Sequence, residues 1–219
     1  MPLQLRPVAA LFCGLLLLAQ PGIAFDTPLS DHAVREAYFL GQRHDDSLAE
    51  FLNKFTQYLQ VPQSGPHIES VSFFTPYALT AINSSERLGY SAQQAQIDHQ
   101  KTPEVVRITV QIWLTASYGE YIVRPVDSRA GSPKGYQPRP ANFWREFRVH
   151  VLQRNQMVIP GSAHGEPVYH CGEDACDLTG AVLTFEFPAE AFTADTVTVL
   201  VTPPEGGEVS VDFAPTALR

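Results

Sequence analysis

The apolar residues of this chain keep a helical period as far as Pro62 and a two-residue period from residue 68 onward, so two kinds of secondary structure must follow one another. Ile108, Val110, Ile112 and Leu114 alternate with Arg107, Thr109, Gln111 and Trp113; Phe147, Val149 and Val151 alternate with Glu146, Arg148 and His150. Such runs bury one face and wet the other, which is the pattern of half-buried strands. Weaker alternation recurs at 68–75, 120–126, 156–160 and 166–170, and residues 181–187, 196–202 and 208–213 repeat it between Pro or Gly breaks. About eight short strands at this spacing predict a fold that is mainly β, an antiparallel immunoglobulin-like β-sandwich with helices at its N-terminal end, of the α+β class. Most runs are shorter than the roughly ten residues a membrane barrel strand needs.

Upstream, Ser30 or Asp31 is placed to cap a helix running to Arg43, with Val34, Ala37, Tyr38 and Gly41 on one face. Ser47 and Glu50 form an S-x-x-E capping box, and Leu48, Phe51, Leu52, Phe55, Tyr58 and Leu59 continue a helical stripe until Pro62 ends it. The spacing predicts a helical hairpin over 31–60 that turns near His44, Asp45 and Asp46. The connector Gln63-Ser64-Gly65-Pro66 is short, which predicts that residues 25–62 pack on a main domain spanning 66–219. Ser91 and Gln94 make a second capping box and predict a helical insert at 91–100.

Residues 1–24 predict an export signal. Arg6 is the sole charge, Val8–Ala19 is an unbroken apolar run, Pro21-Gly22 breaks it, and Gly22-Ile23-Ala24 offers small residues for cleavage. Twelve apolar residues are too few to cross a bilayer as a helix, and no later stretch approaches the roughly 20 required. The expected mature chain begins near Phe25, has no transmembrane segment and works in the periplasm or outside the cell. Its formal charge moves from −8 to −9 when Arg6 leaves, which disfavours nucleic acid and anionic membrane surfaces as partners. Cys13 leaves with the signal, and Phe12 before it is too large for a lipoprotein processing site. That leaves Cys171 and Cys176, which an oxidising compartment predicts to be disulfide-bonded.

Charge is segregated along the chain. Arg124–Arg148 holds six bases and two acids, whereas residues 155–219 hold ten acids and one base, Arg219. Pro125, Pro133, Pro138 and Pro140 stiffen the long loop at 125–142, and Tyr136, Phe143 and Trp144 put aromatic faces among the cations. The candidate binding residues are Arg129, Lys134, Tyr136, Arg139 and Trp144, because Arg forks grip carboxylate or phosphate and rings stack on sugars. The competing reading is a solvated loop lying against the acidic C-terminal half. The run from His164 through Glu166, His170, Cys171, Glu173, Asp174 and Cys176 to Asp177 contains metal-ligating residue types, but a disulfide competes for both sulfurs and the carboxylates lack a calcium-loop pattern.

No H-E-x-x-H, G-x-S-x-G, S-x-x-K, C-x-x-C, phosphate-cradling glycine motif or P-loop is present, so no cofactor is implied. Asn83-Ser84-Ser85 is a glycosylation sequon with meaning only in a eukaryotic source. The function these features predict is a non-catalytic binding or assembly module with an anionic or glycan-like cell-envelope partner. The alternative is an extracytoplasmic hydrolase using His164 or His170 beside the disulfide-braced loop.

Overall fold

The computed structural model describes residues 25–43, 45–124, 135–173 and 175–218. Within them lie four helices, Asp31–Gly41 (α1), Ser47–Asn53 (α2), Pro76–Glu86 (α3) and Ala92–Lys101 (α4). The first seven strands are Thr56–Tyr58 (β1), His67–Phe74 (β2), Val105–Trp113 (β3), Tyr121–Arg124 (β4), Gly135–Pro138 (β5), Arg148–Gln153 (β6) and Gln156–Val158 (β7). Four more follow, Ser162–Cys171 (β8), Cys176–Pro188 (β9), Val197–Thr202 (β10) and Val209–Phe213 (β11). They form a five-stranded sheet in the order β1-β2-β3-β9-β8, a four-stranded sheet β11-β10-β6-β7 and a two-stranded ribbon β4-β5. All pairings among the described residues are antiparallel, which makes the chain an α+β protein rich in antiparallel sheet.

The period-two reading of β3 holds residue by residue. Val106, Ile108, Val110 and Ile112 are fully buried, and Arg107, Thr109, Gln111 and Trp113 are only half-buried on the opposite face. Register carries the division across the sheet, since Ile108 lies between Phe73 and Phe185 and Val110 between Val71 and Leu183. These side chains share one core with Val151 of β6, Val197, Val199 and Val201 of β10 and Phe213 of β11. Phe73 stacks on Phe213 at a centroid distance of 5.6 Å, and Phe192 meets both Phe73 and Phe187 edge-on.

A second core lies among the helices. Ala33, Val34 and Ala37 of α1 pack with Tyr77 and Ala81 of α3 and Ala95 of α4. Ser30 caps α1, its hydroxyl accepting from the Ala33 amide, and Ser91 caps α4 through the Gln94 amide, both at the positions the sequence marks. The main partner of α1, however, is α3, a helix that the periodicity does not reveal. Thr75 caps α3 and Pro76 occupies its first turn, so a start signal was present. Its interior is rich in Thr, Asn and Ser, and two of the hydroxyls bond back to the chain: Thr80 to the Pro76 carbonyl and Ser84 to that of Thr80. Such a helix has weak intrinsic preference and depends on packing.

The predicted second helix is shorter than its stripe. It ends at Asn53, the Phe55 amide closes a tight turn onto Leu52, and Thr56–Tyr58 pairs with the edge of β2 instead. A sheet edge offering unpaired backbone groups outcompetes another helical turn here, and Phe55 reaches the main core from this turn. The expected capping box does not form, because the Asp45 carboxylate takes the Ser47 amide. The expected loop at 125–142 contains β5 and leads into a 3-10 turn at Phe143–Glu146, while residues 125–134 lie outside the described region. Gly161-Ser162-Ala163-His164-Gly165 leads into extended strand rather than a nucleophile elbow. The disulfide between Cys171 and Cys176 is present and closes the β8–β9 hairpin.

Two stability changes follow from this packing. A Cβ at Gly41 would lie 2.1 Å from the Ala81 carbonyl oxygen, so Gly41→Ala must push α1 from α3 and should lower unfolding free energy by about 1–3 kcal/mol in urea titrations. Replacing Cys171 and Cys176 together by Ser opens a six-residue loop and should cost about 2 kcal/mol in the same assay.

Candidate functional site

Where the outer, polar face of β3 emerges at its N-terminal end, α3 and α4 stand over it and leave a cleft of about 400 Å³. One side of α3 contributes Leu79, Thr80 and Asn83, α4 contributes Asp98 and His99, and the sheet contributes Arg107 and Glu186. The helix residues are spaced by three or four, and Arg107 and Glu186 face each other across β3 and β9. Apolar Pro76, Leu79, Pro103 and Val105 complete the lining. A concave, mixed surface of this kind is where small ligands are usually held.

Three carboxylates enter this cleft, and every one of their oxygens is engaged. Asp98 accepts from Arg87 at 2.9 Å and the Tyr90 hydroxyl at 3.0 Å through one oxygen, and from Gln94 at 2.7 Å through the other. The Gln94 bond, followed by that of Tyr90, holds the Asp98 carboxyl below its ordinary range. Burial, reinforced by Asp98, pushes the Tyr90 hydroxyl up. Glu186 receives Nε and Nη2 of Arg107 on one oxygen, at 3.2 and 3.0 Å, and the Ser162 hydroxyl on the other at 3.3 Å.

Glu104 is the most enclosed of the three. Its side chain is 11% exposed, and its Oε1 lies 3.1 Å from Nε2 of His99, which is 16% exposed. The same oxygen accepts from the Leu29 amide, and Oε2 accepts from the Thr27 hydroxyl. This carboxylate therefore joins the segment before α1 to the end of α4 and the start of β3. A histidine beside a carboxylate is also how a hydrolytic site begins. Among the described residues no hydroxyl or thiol is hydrogen-bonded to His99, and the Thr80 hydroxyl is already donated to Pro76. The donors Asn83, Nη1 of Arg107 and Nη2 of Arg87 make no hydrogen bond among the described residues. The sequon residue Asn83 thus sits half-buried within α3, facing the cleft.

The residues singled out from the sequence lie elsewhere. Arg129 and Lys134 fall outside the described residues. Tyr136 is 75% exposed on β5, and register places it on the same ribbon face as Tyr121, itself 54% exposed. Arg139 is not a free fork: its guanidinium carbon lies 3.5 Å from the centroid of the buried Tyr118 ring, and its Nε donates to the Gly119 carbonyl at 2.8 Å. Trp144 is half-buried against Gly165, where a Cβ would fall 2.5 Å from its ring. His164 and His170 are exposed on β8, and neither imidazole forms a hydrogen bond or ion pair among the described residues. No group of three or more metal-ligating side chains occurs among the described residues, and no helix there is long and apolar enough to cross a membrane.

The cleft was missed because its residues come from four separated segments. The usable signals were the Thr75-Pro76 start of α3 and the polar positions of β3 and β9, which alternation marked as outward without saying what covers them. Neither protein-family models nor curated proteins match the chain.

Among the described residues the Tyr118 hydroxyl is buried without a hydrogen-bond partner, and burial pushes its pKa up from 10.0 to about 12. Stability from this group is complete below the unfolded value of 10.0 and is lost as pH rises toward about 12, because the unfolded chain ionises first. Tyr118→Phe should abolish that alkaline loss and leave stability at neutral pH unchanged or higher by about 1 kcal/mol, read from urea unfolding on both sides of the transition.

Proposed function

We propose that the chain is an exported, non-catalytic binding module on an immunoglobulin-like β-sandwich scaffold, and that the cleft between α3, α4 and β3 is its ligand seat. The observation that carries this reading is the cleft's composition. It joins an apolar wall to fixed polar groups, and its histidine–carboxylate pair serves as a clasp for the N-terminal segment. Binding needs such a surface. Exported signal-like sequence, low charge density and the disulfide support placement in the periplasm or outside the cell. The exposed positions of His164 and His170 lend the hydrolase alternative nothing.

A second contact surface is supported by the ribbon. Tyr121 and Tyr136 present two exposed rings on one face, which suits stacking against a glycan-like cell-envelope partner. Arg129 and Lys134 belong to the same proposal as cations contributed by the adjoining segment.

Amide chemical-shift mapping with a library of small polar fragments tests the assignment. Saturable shifts should cluster at Leu79, Asn83, Val105 and Arg107. A library whose hits all fall outside this group, or slow conversion of bound fragments, would remove the cleft or the non-catalytic reading respectively. Oligosaccharides should instead move Tyr121 and Tyr136, and Tyr136→Ala should weaken that response severalfold.

A further inference from the structure

Accepting the cleft as a ligand seat, we infer that its ligand is a singly charged organic carboxylate with a small apolar body, gripped by Arg87, Arg107 and Asn83. The inference rests on the proposed function above and adds the chemical class. It comes from counting which hydrogen-bonding capacity in the cleft is already used.

Acceptors are largely engaged. Each oxygen of Asp98, Glu104 and Glu186 already accepts at least one hydrogen bond from the protein, so an incoming ammonium has to share these carboxylates with donors already in place. Donors remain. Among the described residues Arg87 uses only Nη1, Arg107 uses Nε and Nη2 and keeps Nη1, and the Asn83 amide has no partner. Guanidinium groups fixed by a carboxylate on one edge are held ready to offer another edge to a planar carboxylate, with little side-chain freedom left to lose. Leu79 and Val105 supply apolar surface for the rest of the molecule.

Charge then limits the ligand. The lining carries Arg87 and Arg107 against Asp98, Glu104 and Glu186, a formal sum of −1 with His99 neutral. A phosphate monoester, near −2 at neutral pH, meets that field with twice the charge of a carboxylate. That net field opposes any anion, so only the open guanidinium edges and the Asn83 amide favour one, and a second negative charge on the ligand doubles the opposition without adding a donor. Size agrees, because a cleft of about 400 Å³ accepts a molecule of a ring and a carboxylate rather than a polymer segment.

Three probes of equal bulk, benzoate, phenyl phosphate and benzylamine, test the class by amide shift mapping and titration on the purified protein. Benzoate should shift Leu79, Asn83, Val105 and Arg107 saturably, with a Kd on the order of 1 mM, while the other two bind at least fivefold more weakly. Arg87→Gln and Arg107→Gln should each raise the benzoate Kd at least fivefold. Because Arg107 also pairs with Glu186, Asn83→Asp provides an independent variant that leaves that pair in place. It should lose benzoate and gain benzylamine. Tighter binding of benzylamine or phenyl phosphate at these amides in the unaltered protein would overturn the carboxylate assignment while keeping the cleft as a ligand seat. Failure of all three probes, together with a fragment library silent at the same amides, would overturn both; silence of the three alone, with other fragments seated there, would overturn the class only.

Discussion

The two-residue alternation of β3 is the constraint from which the rest of the structure follows. One set of its residues, Val106 to Ile112, fills the centre of the main core, and the other set, beginning with Arg107, forms part of the opposite surface. A register slip of one residue would bury Arg107 and expose Ile108, a change no neighbouring strand could absorb. Because β3 sits at the centre of the five-stranded sheet, its register also sets which residues of β2 and β9 face inward. The cross-strand pair Arg107 and Glu186 is a direct result, placed on the outer face by the same alternation that buries Ile108 and Phe187.

Over that outer face the helices add a second layer, and Glu104 ties it to the sheet. Through one carboxylate the chain joins Thr27 and Leu29 to His99, while the Glu104 carbonyl accepts from the Ala189 amide. Two segments remote in sequence, at 27–29 and at 189, converge with the end of α4 on one residue at the rim of the cleft. A buried carboxylate is costly unless each oxygen has a donor, and these contacts meet that requirement. Rigidity at the rim and unspent donors inside have the same origin, since the acids accept hydrogen bonds from protein groups and part of each arginine is left over.

Local signals were legible where a residue acts through the backbone within a few positions. Ser30 and Ser91 cap the helices their spacing marked, and the strands at 105–113, 148–153 and 197–202 lie where alternation put them. Tertiary competition obscured the remainder. Phe55 and Tyr58 fit a helical stripe, yet pairing with β2 makes residues 56–58 a strand. The helix α3 carries a start signal but an interior of Thr, Asn and Ser, and only the contact of Ala81 with α1 explains its persistence. Arg139 reads as a binding fork in a basic stretch because a sequence does not show that Tyr118, twenty-one residues earlier, will lie beneath it.

By itself, the sequence determined the caps of α1 and α4, the faces of the longer strands and the pairing of Cys171 with Cys176. Those features depend on periodicity and on groups near one another along the chain, which composition and spacing record. The five-stranded order, the contact of α1 with α3 and the cleft beneath α3 and α4 were decided only by tertiary structure. They depend on which surfaces meet after collapse, and the free energy of that meeting is shared among residues far apart in the chain, 79 positions for Arg107 and Glu186 and 155 for Gln57 and Asp212.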